Sequence, residues 1–327
     1  MSGLTMHRLV FTLETHDQVE FAVQVGSQLR GALYNSLRHQ YCSAPNGKHD
    51  PTQAEFCPVC WLMAREDSDS GRGKDVPRAF TLIPPMELKY KVGETFRFSV
   101  NMFGRAIGLF PYLVLALPMM GNEGVGQSRG RFTLRHIDAY HPLSGEYLRL
   151  YTMGTTVRRH PQFTIDQEAV KSHAQGFHAD KVRMRFLTPM RLIRDGKLCK
   201  KPDFSVLIAR LLERFDLLQH EYGNPALVSP YQELTPLAAG IKLVEDQTQW
   251  VEVWSGSRRQ NTSTPISGFV GEAVFQGDLA PFWTWLLWGS CIQVGKDTVK
   301  GNGFFRIEPT QPALPKPVQP AEPVESP

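Results

Sequence analysis

An α+β fold is predicted by three features of the 327-residue sequence: short stretches of period-two hydrophobicity, longer stretches with one apolar helical face, and an order of the two that occurs twice. Leu9 to Glu14 alternates apolar and polar side chains as a half-buried strand does. Gln28 to Tyr41 carries Leu29, Leu33 and Leu37 on one helical face. Polar and glycine-rich residues from Ser43 to Val76 interrupt the pattern as an insertion. Phe80 to Ile83 and Thr95 to Asn101 resume it as strands, Gly108 to Met120 reads as a second apolar helix despite its prolines, and Arg131 to Ile137 closes the unit. The order is βαββαβ.

The second half repeats that order. Lys181 to Thr188 is a strand and Asp203 to Tyr222 a long helix, with Asp203 as N-cap and Gly223 as stop. Trp250 to Trp254 and Phe269 to Phe275 read as a hairpin, Leu279 to Gly289 as a Trp-rich helix, and Gly303 to Ile307 as the closing strand. Trp283, Trp285 and Trp288 lie on a helix that must cover a sheet, so they belong to the core. The expected architecture is two tandem ferredoxin-like (RRM-like, βαββαβ) domains, residues 1–178 and 179–308, with a cysteine-containing insertion at about 42–78 after the first helix. Residues 309–327 are dominated by proline and polar residues and read as a disordered tail.

A formal charge of +4 says little, but its distribution says more: Arg131 to Lys201 holds fourteen Lys and Arg against six Asp and Glu, with five histidines among them. That is a polyanion footprint. No stretch combines a basic start, an apolar segment and a small-residue cleavage site, so a cytoplasmic protein is expected. The apolar runs Leu109 to Met120 and Leu279 to Ile292 are too short to span a bilayer, so no membrane partner is expected.

The stretch Val294 to Ile307 holds Gly295, Gly301 and Gly303 with Lys296 and Lys300. Glycine tolerates positive φ and lets backbone N–H groups come close to phosphate oxygens, and the lysines add mobile charge. RNA is the first ligand this suggests; the plainer reading is a turn that joins two elements. A mononucleotide or dinucleotide loop is excluded, because Gly303 runs into Phe304-Phe305 and a strand rather than a helix.

Five cysteines argue against a disulfide framework. Cys57-Pro58-Val59-Cys60 has knuckle spacing, Cys42 lies fifteen residues upstream of Cys57, and His49 between them completes a Cys3His set for structural zinc. The alternative is three reduced thiols packed under the insertion. Cys199 and Cys291 are isolated in sequence and read as buried apolar residues. Gly126-Gln127-Ser128-Arg129-Gly130-Arg131 and Arg158-Arg159-His160 combine flexible backbone with guanidinium groups suited to phosphates and bases, as does the loop containing Arg258 and Arg259.

Six strings in order resemble the CRISPR-associated endoribonucleases that cut precursor CRISPR RNA within its repeats, members of the repeat-associated mysterious protein (RAMP) superfamily. They are Leu29-Arg30-Gly31-Ala32-Leu33-Tyr34, Pro77-Arg78-Ala79-Phe80 with Pro84-Pro85, Gly124-Val125-Gly126 leading to Arg129-Gly130-Arg131-Phe132, Arg185-Phe186-Leu187-Thr188-Pro189, Gly268-Phe269-Val270-Gly271, and the terminal glycine loop. The resemblance implies tandem ferredoxin-like domains and cleavage without a catalytic metal. The RNA's own 2′-OH attacks the phosphodiester, leaving 2′,3′-cyclic phosphate and 5′-OH ends. It implies a catalytic histidine at or beyond the end of the first helix. His39 is the first candidate and His49 the second, with Tyr34 and Lys48 as helpers at the phosphate. RNA contacts follow at Arg30, Arg129, Arg131, Arg158, Arg159, Arg258, Arg259, Gly295, Lys296, Lys300, Gly301 and Gly303. The implied partners are CRISPR repeat RNA, its crRNA product and other CRISPR effector subunits. The competing reading is a non-cutting RNA-binding subunit of such an effector.

Overall fold

In a computed structural model the described residues are 3–42, 56–63, 76–155, 161–257 and 262–310. They form two main antiparallel sheets. The first half gives β1 (Met6–Thr15), α1 (Val25–Tyr41), the short α2 (Pro58–Met63), β2 (Phe80–Ile83), β3 (Thr95–Phe103), α3 (Phe110–Glu123), β4 (Phe132–Tyr140), β5 (Tyr147–Thr152) and α4 (Gln167–Ala174). Its sheet runs β2-β3-β1-β4-β5. The second half gives β6 (Lys181–Met190), α5 (Phe204–Tyr222), α6 (Tyr231–Ala238), β7 (Lys242–Val251), β8 (Gly268–Gln276), α7 (Trp283–Ile292) and β9 (Phe305–Pro309), with a sheet in the order β7-β8-β6-β9. In each unit the closing strand lies beside the opening one and the middle hairpin on its other side, which is the ferredoxin-like arrangement.

Local chemistry explains the helix boundaries. The Asp203 side chain accepts the Val206 N–H at 3.0 Å and opens α5. A 3-10 turn over Gly104–Leu109 leads straight into α3. Pro111 sits in the first turn, where its missing N–H has no helical partner to lose, and Pro118 is carried inside the helix. The segment Gly104–Glu123 is thereby long and apolar enough by composition to cross a membrane. It is a core helix here: Phe110, Leu113, Ala116, Leu117 and Met120 are buried, and α3 packs on α1 and β4.

The cores lie between the sheets and their helices. Phe11 stacks on Phe98 at 4.9 Å in the first unit, and Phe186 meets Phe269 edge-on at 5.0 Å in the second. Trp283, Trp285 and Trp288 are buried, as core packing requires.

Two segments differ from the sequence reading. The partner of β8 is not Trp250–Trp254 but Lys242–Val251, whose register pairs Trp250 with Phe269, while Trp254–Ser257 turns away to pair with Thr262–Pro265. Lys242 through Gln247 are exposed on both faces of this edge strand, so no alternation marks them as a strand. The closing strand also runs past its expected end: Pro309 pairs with Val182, and Thr310 N–H donates to the Lys181 carbonyl at 3.0 Å. The remainder of the expected tail, 311–327, lies outside the described residues.

Candidate nucleic-acid interface and metal centre

The terminal glycine loop is the joint between the two halves. Gly295, Gly301 and Gly303 take φ of +89°, +91° and +75°, as their lack of a Cβ allows. A Cβ on Gly301 would meet Pro84 Cδ at 2.9 Å, and one on Gly26 at the start of α1 would meet the Lys300 carbonyl oxygen at 2.0 Å. The N–H groups of Val294, Lys296, Lys300, Gly301, Asn302 and Gly303 all donate to protein carbonyls. The glycines therefore admit close approach of the protein's own backbone. Lys300 Nζ pairs with Asp297 at 3.1 Å, while Lys296 projects into solvent.

Beneath the loop runs a buried polar network. Arg8 Nε donates to Asn101 Oδ1 at 2.7 Å, and Asn101 Nδ2 donates to Thr81 Oγ1 at 2.8 Å and to Gln293 Oε1 at 3.3 Å. Gln293 Nε2 donates in turn to the Leu82 and Asn302 carbonyls, at 3.1 and 2.9 Å. Arg8 Nη2 also reaches the Ser290 and Cys291 carbonyls at 3.2 and 3.3 Å, and Arg214 from α5 donates twice to the Ile292 carbonyl at 3.2 Å. Two guanidinium groups thus satisfy the orphan carbonyls at the negative end of α7. Burial lowers the pKa of both, that of Arg214 to about 10.

The residues expected at the reaction centre are only partly brought together. His39 is 60% exposed in the last turn of α1, with Nδ1 3.7 Å from Glu123 Oε1 at the end of α3. Tyr34 is half-buried against the core. Five residues separate it from His39, which turns it about 140° away around the helix. Lys48 and His49 lie outside the described residues, as do Arg158, Arg159, Arg258 and Arg259.

The arginines divide by partner. Arg131 is held by Asp17, with Nε to Oδ2 at 2.7 Å and Nη2 to Oδ1 at 3.2 Å, and that guanidinium holds the Asp17 carboxyl below its usual range. Arg129 is exposed at a φ of +50° at the tip of the glycine turn. Arg30 Nη2 donates to the Met63 carbonyl at 3.1 Å and so ties α1 to α2.

Cys42, Cys57 and Cys60 converge, with their sulfur atoms all within 4.8 Å of one another and those of Cys42 and Cys60 3.6 Å apart. A tetrahedral zinc with Zn–S near 2.3 Å has sulfurs about 3.8 Å apart, so the spacing fits. Burial and the neighbouring thiols raise the Cys60 pKa. Burial also pulls Cys57 up, but hydrogen bonds from Cys60, Val59 and Cys42 bring it down on balance. Ionisation is therefore eased at Cys57 and opposed at Cys60. The cluster also anchors α2, whose Trp61 ring meets Tyr222 of α5 edge-on at 6.0 Å and lies under Arg105 at 5.0 Å.

A further cluster was not read from the sequence. On the face of the first sheet turned away from its helices, register sets Thr12 between Arg97 and His136, and Asp138 beside Arg149. Asp138, with a side chain only 9% exposed, accepts from Arg149 Nε and lies 3.5 Å from His136 Nε2. Alternation of His136 and Asp138 along one strand was the available hint, but a bulge opposite Thr12/Leu13 hides which residues share the face.

Residues 4–162 match a family model described as an N-terminal domain. Residues 184–305 match the model described as CRISPR-associated endoribonuclease Cas6. No curated protein matches the chain by sequence. Among solved structures, a Cas6 product complex is 17% identical with a TM-score of 0.55, covering 93% of this chain and 100% of the other. Thermus thermophilus Cas6 is 15% identical with a TM-score of 0.55, covering 94% of this chain and 100% of its own. A partial Cas6-RT-Cas1–Cas2 complex is 13% identical with a TM-score of 0.60, covering 94% of this chain and 47% of the other. These likenesses show the tandem ferredoxin-like fold.

Proposed function

We propose, for a chain whose second half carries the Cas6 domain and whose fold is that of RAMP-type CRISPR RNA-processing proteins, that it cuts CRISPR repeat RNA in the cytoplasm and holds the crRNA product. The observation that carries this reading is the Cas6 match over 184–305, which contains the glycine loop and the helix end that seat one half on the other. The two working units divide near residue 178.

The reaction is a transesterification. The 2′ oxygen attacks the adjacent phosphorus, the bond from phosphorus to the 5′ oxygen breaks, and the 2′ proton leaves as a proton is delivered to the departing oxygen. His39 moves the proton, and Tyr34 and Lys48 support the charge that builds on the phosphorane. The exposure of His39 at a helix end leaves room for a phosphodiester. In the same reading RNA contacts are assigned to Arg30, Arg129, Arg131, Arg158, Arg159, Arg258, Arg259, Lys296 and Lys300, and Gly295, Gly301 and Gly303 belong to the loop that carries the two lysines. Other CRISPR effector subunits are partners in the same reading.

Zinc is structural. Cys42, Cys57 and Cys60 would hold it, with His49 proposed as the fourth ligand, and it would brace α2 against the end of α1. No metal takes part in the bond-making step.

The test is incubation with the cognate repeat RNA in EDTA, beside the same RNA with a 2′-deoxy sugar at the cut. Cleavage of the unmodified RNA alone, leaving a cyclic phosphate, is expected. Tight binding with neither RNA cut would replace this reading with the non-cutting subunit.

A further inference from the structure

We propose that Arg97, His136 and Arg149, on the outer face of the first sheet, form a proton-coupled seat for one backbone phosphate of the bound RNA. The inference rests on the proposed RNA substrate and adds a contact that the cleavage residues on α1 do not supply.

The charges decide what the cluster can take. Arg149 is matched by Asp138, and Arg135 by Glu14 at 2.7 Å. Arg97 is exposed on β3, and its guanidinium has no ion pair or hydrogen bond among the described residues. His136 sits among them with Nε2 toward Asp138, so the local balance is one surplus cation beside an imidazole. Thr12, between Arg97 and His136 in register, is 2% exposed, and its hydroxyl has no partner among the described residues. A row offering an unmatched guanidinium, a second guanidinium only half engaged by its carboxylate, and an imidazole is a receptor for a single oxyanion.

The histidine makes the seat responsive. In the protein alone its pKa is lowered, first by burial and then by Arg149, with Arg97 and Arg135 adding to the effect and Asp138 opposing it. A phosphate placed between the arginines cancels that repulsion and favours the imidazolium. RNA binding therefore takes up a proton here. Affinity is highest at low pH and falls as pH rises through the histidine range.

The experiment measures equilibrium binding of repeat RNA, blocked by a 2′-deoxy sugar at the cut, to the full chain and to its His136→Gln and Arg97→Ala variants. Each is measured at about pH 6 and about pH 8 over a range of salt. The wild type should bind about three- to tenfold more tightly at the lower pH, and His136→Gln should lose most of that difference. Arg97→Ala should lower the salt slope by about 0.7, the single-strand value for one phosphate contact. Arg97 is exposed, so its variant reports on binding rather than folding. Both variants matching the wild type in pH response and salt slope, while wild type cuts unblocked RNA, would overturn the seat and leave the proposed function standing. Wild type that neither binds nor cuts the RNA would overturn both.

Discussion

Gly26 and Gly31 lie on the same helix, yet replacing each by alanine should move stability in opposite directions. Alanine is favoured over glycine within a helix by roughly 0.8–1 kcal/mol. Around Gly31 nothing lies within 4 Å of an added Cβ, so Gly31→Ala should stabilise the protein by about 0.5–1 kcal/mol. At Gly26 the added Cβ falls 2.0 Å from the Lys300 carbonyl oxygen and 2.6 Å from its carbon, both backbone atoms that cannot rotate away. Overpacking of this kind costs about 1–3 kcal/mol. After the helical gain is subtracted, Gly26→Ala should destabilise by up to about 2 kcal/mol. Urea unfolding of the two variants beside wild type reads both signs in one assay. If Gly26→Ala gains stability as Gly31→Ala does, then the glycine loop does not press on α1, and the account of the joint is wrong.

Three further outcomes are expected. His39→Ala should slow cleavage by at least about a hundredfold with RNA affinity little changed, measured by single-turnover kinetics and filter binding; near-wild-type rate would move the proton-transfer role to His49 and remove His49 from the zinc set, since a metal-bound imidazole cannot shuttle protons freely. Purified protein should carry about one zinc per chain by elemental analysis, and Cys57→Ser should lose it and lower the melting temperature; thiols found reduced and metal-free would remove the zinc. His7 is buried with Nδ1–H donating to the Phe163 carbonyl at 2.8 Å, and burial lowers its pKa below the ordinary histidine value. Its folded pKa lies below its unfolded one, so its contribution to stability is present above the unfolded value and is lost as pH falls. Replacing His7 by Gln should flatten the decline in unfolding free energy between about pH 7 and pH 5, and an unchanged decline would count against this assignment.

The βαββαβ order was legible because each covered strand alternates and each covering helix has one apolar face, as in Leu29, Leu33 and Leu37 over β1. It failed at Lys242–Val251, where an edge strand open on both faces writes no pattern. The glycine loop was legible as a place of close approach, since that follows from glycine itself. What approaches is fixed only in three dimensions, and there Lys300 meets Gly26, and Gly301 meets Pro84. The cysteine spacing fixed Cys57 and Cys60 as neighbours and Cys42 was read as a third ligand, and the three meet because α1, which ends just before Cys42, packs on α2. Nothing in the sequence signalled the pairing of Arg131 with Asp17, which stands far away along the chain. His136 and Asp138 gave no sign of their meeting with Arg149 and Arg97, since strand register brings those four together across a bulge.

The end of α7 is gripped by an arginine from each half, Arg8 from β1 and Arg214 from α5. These bonds run to backbone carbonyls, which every residue supplies, so they constrain the path of the chain at this helix end rather than its side chains. Evolution or engineering can therefore vary the side chains here while Arg8 and Arg214 are kept, because those two arginines tie the first strand and the long helix of the second unit to one helix end.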